Sequence, residues 1–70
     1  MTRKVVKDYA NKIAEAITKS GKNTYFVQDF NSRFWIINQN SILRQVSFYL
    51  SQPISYHNGF ITLTKEILRA

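Results

Sequence analysis

Apolar side chains recur at steps of three and four through the first twenty residues. Val5, Val6, Tyr9, Ile13, Ala16 and Ile17 make one stripe, with Lys4, Lys7, Asp8, Lys12, Glu15 and Lys19 largely outside it. That spacing predicts an amphipathic helix over 2–20. Thr2 is placed to cap its start, and Gly21 to take the left-handed conformation beyond its end. The β-branched and aromatic run Thr24-Tyr25-Phe26-Val27 predicts a short strand over 24–27. Phe30 and Phe34 are four apart and predict a two-turn helix over 28–34. Trp35-Ile36-Ile37 breaks this period and reads as a buried turn, with Trp35 in the core. Asn38 then caps a further helix over 39–51, in which Ile42, Val46, Tyr49 and Leu50 mark one face. Pro53 ends it, because the residue before a proline is driven out of the α region.

The strongest local signal is Asn58-Gly59, the preferred pair for a two-residue hairpin turn that needs positive φ at both positions. Ile54-Ser55-Tyr56-His57 and Phe60-Ile61-Thr62-Leu63 flank it. Counting outward from the turn pairs His57 with Phe60, Tyr56 with Ile61, Ser55 with Thr62 and Ile54 with Leu63. Ile54, Tyr56, Ile61 and Leu63 then share a buried face, with Ser55 and Thr62 on the other. The hairpin is expected over 54–64. Residues 65–69 either extend its second strand or form a short helical turn.

The elements run helix, strand, helix, helix, strand, strand. Seventy residues make one α+β domain over 1–70 with a small core, because a chain of this size buries only about 60% of its unfolded surface. There is no cysteine and one histidine, so neither a disulfide framework nor a zinc site is expected. The longest apolar run, Phe34-Trp35-Ile36-Ile37, is far short of a membrane span. No signal peptide is visible, and a soluble, cytoplasmic protein is expected. The acids Asp8, Glu15, Asp29 and Glu66 show no paired spacing, and there is no phosphate loop or nucleophile elbow. No enzyme activity and no cofactor are expected.

Charge changes the picture most. The net charge is +6, and residues 1–22 carry six cations against two acids. Such an excess attracts polyanions. The Asn-, Ile-, Lys- and Tyr-rich wording points to an A+T-rich microbial or viral genome.

The order of elements, the Phe26-Val27-Gln28-Asp29-Phe30 segment, the polar start and Ile42/Val46/Leu50 spacing of the 39–51 helix, and the 54–64 hairpin together resemble the winged helix-turn-helix superfamily. The resemblance implies three helices with a C-terminal β-hairpin wing. It also implies double-stranded DNA as partner, with helix 39–51 in the major groove. Gln39, Asn40, Ser41, Arg44 and Ser47 become candidates for base edges, and Arg3, Lys4, Lys22, Arg33, His57 and Asn58 for phosphates. Arg3 and Lys4 would reach out from an N-terminal arm. Asn and Gln suit adenine, and Arg suits guanine. The resemblance implies a small transcriptional regulator or recombination accessory factor, with a homodimer as its expected assembly.

Arg44 is the only base on helix 39–51, and Phe48 lies opposite its apolar face. Leu43 lies to one side and would widen an exposed patch there. These features favour a rival, a viral or plasmid module that docks on a host protein. A third expectation is an RNA binder whose aromatics form stacking platforms.

Overall fold

The computed structural model describes residues 2–64. Helix α1 spans Thr2–Ser20, strand β1 Thr24–Phe26, helix α2 Arg33–Leu50, strand β2 Ile54–His57 and strand β3 Phe60–Leu63. The three strands form one antiparallel sheet in the order β1-β3-β2. The expected form of 65–69 lies outside the described residues, as does the side chain of Thr2.

Helix α1 follows its apolar period. Val6, Ala10, Ile13, Ala14 and Ile17 are buried, whereas Val5, expected in the stripe, is exposed. Its end is closed as the glycine implied: Gly21 has φ 69° and its N–H donates to the Ile17 carbonyl at 3.2 Å. The hairpin keeps the register counted outward from its turn, pair for pair. Asn58 and Gly59 both have positive φ, 49° and 89°. Ile61 and Leu63 are buried beside half-buried Ile54 and Tyr56, on the face predicted.

The middle of the chain departs from expectation. In place of the expected helices over 28–34 and 39–51 stand a turn over 28–31 and one continuous eighteen-residue helix, so Trp35-Ile36-Ile37 is helical rather than a turn and Asn38 is no cap. Ser32 caps instead: its hydroxyl accepts from the Trp35 N–H at 3.1 Å. Asn38 sits inside the helix with its amide on the Phe34 carbonyl at 2.9 Å. The described residues therefore contain two helices, not three, and the helix start expected at 39 falls in the middle of α2. Strand β1 stops at Phe26 rather than Val27, and β3 at Leu63. Ser51 takes φ 59° and closes α2 two residues before Pro53.

The reason lies in which residues face inward. Trp35, Ile42 and Val46 are buried, so the inner stripe passes through positions 38 and 39. Those positions hold Asn38 and Gln39, both half-buried, while Ile36 and Ile37 point outward. Polar residues inside and apolar ones outside erase the helical period across one turn, although the backbone continues through it.

Trp35 is the centre of the core. It has no exposed surface and donates its indole N–H to the Tyr56 hydroxyl at 3.0 Å. Its ring lies 5.4 Å from that of Tyr56 and 6.1 Å from that of Tyr9. One side chain thus joins α1, α2 and the hairpin. Strand β1 is held to the hairpin at both of its ends: the Leu63 N–H donates to the Asn23 carbonyl, and the Val27 N–H to the Gly59 carbonyl, both at 2.8 Å.

Candidate nucleic-acid interface

The outward side of α2 is set by the burial of Trp35, Ile42 and Val46 on its other side. At 100° per residue, Arg33, Ile37, Asn40, Ser41, Arg44 and Phe48 fall around the opposite direction, and all six are exposed. The helix holds no Asp or Glu in its eighteen residues. Two guanidiniums, an amide and a hydroxyl are thus presented together, with no carboxylate on the helix to neutralise them. At about 1.5 Å per residue the face is about 27 Å long.

The expected base-contact residues divide. Asn40, Ser41 and Arg44 project into solvent together. Gln39 is half-buried on the flank nearer the core. The Ser47 hydroxyl donates to the Gln52 carbonyl at 2.6 Å, so it finishes the helix end. Leu43 packs against the core, on the side away from Phe48, and does not widen an exposed patch. Tyr49, expected among the inward residues, is exposed. The exposed apolar residues of this face are instead Phe48 and Ile37, 79% and 70% exposed, with Ile36 at its edge. Sequence reading missed Ile36 and Ile37 because it placed them in a buried turn. The only signal was their position one and two residues after an indole that must itself be inside.

The expected phosphate contacts are exposed, and most gather at one end. Tyr9 packs against Phe34 and Trp35, while Glu15, Thr18 and Lys19 line a groove with Tyr49. The two helices therefore run in the same sense, and their N-termini share an end. Arg3 and Lys4 lie in the first turn of α1, not on a free arm, and Arg33 opens α2. The hairpin turn lies at this end too. Phe30 and Phe26 press on Gly59, where an added Cβ would stand 3.0 Å from both rings. His57 and Asn58 are exposed beside it, with Asn58 Nδ2 3.1 Å from His57 Nε2. Lys22 is separate: it follows the far end of α1, its N–H donating to the Ser20 hydroxyl. Neither helix has an acid in its first turn. The positive ends of both dipoles and three cations thus reinforce one another.

A cleft of about 370 Å³ lies beside this end, lined by Tyr9, Lys12, Ile13, Tyr25, Val27, Gln28 and Asp29. Tyr9 closes it by donating its hydroxyl to the Asp29 carboxylate. Burial, and then the bond to Asp29, push the Tyr9 phenol above its usual range. The raised value means the folded state favours neutral Tyr9. Its stabilisation is complete below the ordinary tyrosine value of 10.0 and is lost as pH rises past it. In urea titrations, the wild-type midpoint should fall more steeply above about pH 10 than that of Tyr9→Phe. Parallel curves would show that the phenol does not set this dependence.

Among the described residues, no group of three or more His, Cys, Asp or Glu side chains is placed to hold a metal. No described helix is long and apolar enough to cross a membrane. No family model matches the chain, and comparisons with curated proteins and with solved structures give no match.

Proposed function

We propose that this protein binds duplex DNA by laying the outer face of α2 in the major groove, as a small regulator of transcription or a recombination accessory factor. The observation that carries the reading is the outward face of α2: Asn40, Ser41 and Arg44 exposed together on a helix without a carboxylate. Arg44 suits guanine O6/N7 and Asn40 suits adenine N6/N7, and Ile37 or Phe48 can meet a thymine methyl. Arg3, Lys4 and Arg33, with the wing tip, supply backbone contacts that position without reading sequence. Helix α2 acts as a reading helix without the separate preceding helix of a helix-turn-helix. The terminal hairpin, joined to β1 in one sheet, would flank the reading helix as a wing does.

Salt titration tests it. Neutralising about four phosphates makes affinity fall roughly 100-fold between about 50 and 200 mM salt. A labelled random duplex titrated by anisotropy should show that slope. No binding at low salt, or binding indifferent to salt, sinks the proposal.

A second reading has its own observation. Ile36, Ile37 and Phe48 leave large apolar area in water on the same face. Ile36 and Ile37 lie near the start of α2 and Phe48 near its end, about 16 Å along the axis, so a protein partner would have to span most of the helix to cover them. If α2 docks on a protein instead, Phe48→Ala abolishes the complex and Arg44→Ala does little.

A further inference from the structure

The sheet has a second face, turned away from the helices. Strand register sets it out in two rows. Thr24 pairs with Thr62, which pairs with Ser55; Phe26 pairs with Phe60, which pairs with His57. The Phe26 and Phe60 rings lie 4.9 Å apart at an interplanar angle of 51°. Phe30 meets Phe26 edge-on at 5.6 Å and supports it from the turn. A cross-strand aromatic pair stabilises a sheet, yet these two remain 42% and 49% exposed. Neither row contains an acid, and Lys22 precedes Thr24 in a chain of net charge +6.

We infer that this face binds single-stranded nucleic acid, stacking one or two unpaired bases on Phe26 and Phe60, with His57 at the rim. The hydroxyl row of Thr24, Thr62 and Ser55 beside the rings suits sugar and phosphate oxygens. It also breaks up the apolar area that a protein partner would need. A duplex cannot use the rings, because its base faces are already covered by their neighbours. Base–aromatic stacking tolerates any sequence and is joined by a basic surface that follows the backbone. The site goes beyond the duplex reading and uses none of the α2 residues, so either can fail without the other.

The test uses the whole chain and fluorescence anisotropy with labelled oligothymidylate of about 12 nucleotides, within the span of common single-strand sites. An abasic strand of equal length is the companion probe. Wild type should bind oligothymidylate about tenfold or more tighter than the abasic strand. Phe60→Leu and Phe26→Leu keep apolar bulk but remove the π face. Each should lose about tenfold on oligothymidylate and little on the abasic strand, whereas Phe60→Trp restores binding. Arg44→Ala should leave this binding unchanged. Equal affinity of wild type for the two strands, or failure to bind either, overturns the inference without reference to any variant. So does wild-type affinity in the leucine variants. Equal binding to the two strands would assign the attraction to charge alone, and capture of duplex only would leave α2 as the sole interface.

Discussion

Replacing Trp35 by alanine should unfold the protein or leave it barely folded. Truncating a buried tryptophan costs about 3–5 kcal/mol. A chain of this length has only about 3–10 kcal/mol in all. The indole is completely buried and is the residue that α1, α2 and the hairpin share through Tyr9 and Tyr56. Its loss also leaves the Tyr56 hydroxyl without its donor. Thermal unfolding by circular dichroism should show a midpoint lowered by about 15–35 °C, or no cooperative transition. Trp35→Phe fills most of the volume and removes only the hydrogen bond, so it should cost about 1–2 kcal/mol. A midpoint for Trp35→Ala within about 5 °C of wild type would falsify the placement of this side chain at the junction of the three elements.

The second large effect concerns binding. Arg33→Glu/Arg44→Glu should weaken duplex affinity about 100-fold or more while leaving stability within about 0.5 kcal/mol, since both side chains are exposed. The two positions should act differently when neutralised singly. Arg44 lies mid-helix beside Asn40 and Ser41, so Arg44→Ala should cost about 1–3 kcal/mol on a preferred sequence and relax selectivity at one base pair. Arg33 opens the helix at the cationic end. Arg33→Ala should weaken all duplexes alike and reduce the salt slope by about one. Selectivity unchanged by Arg44→Ala, with a normal fold, would place the reading surface elsewhere. Because Phe26 and Phe60 lie on the sheet rather than on α2, single-strand affinity measured on the same variants separates the two faces.

These expectations rest on features of unequal visibility in the chain. Helix α1 was legible because its inward residues are apolar and its end is marked by Gly21. The hairpin was legible because Asn58-Gly59 admits one turn geometry, and a two-residue turn leaves no freedom in register. Asn40, Ser41 and Arg44 were legible as outward residues because Ile42 lies among them and, with Val46 one turn on, marks the other side. All three are signals contained within a dozen neighbouring residues.

Helix α2 was not legible across its first half. Its inner stripe passes through Asn38 and Gln39, and Ile36 and Ile37 lie outside. Local pattern therefore favoured a break at the turn where tertiary burial of Trp35 holds the helix intact. Asn38 looked like a cap by residue type, and Ser32 was overlooked because only the position of Trp35 reveals it.

By itself the sequence determined an α+β fold, a first helix closed by glycine, a hairpin of defined register, a strong positive charge and an outward side after residue 39 that carries Asn40, Ser41, Arg44 and Phe48. Only the tertiary structure decided that one helix replaces two, that β1 pairs with β3, and that Phe26 meets Phe60 across that pair. It also brought Arg3, Lys4, Arg33 and the hairpin turn to one end. The physical reason is range. Turn geometry and helical period act between near neighbours, whereas strand pairing and the burial of Trp35 join residues about twenty or more positions apart, and no local pattern records those contacts.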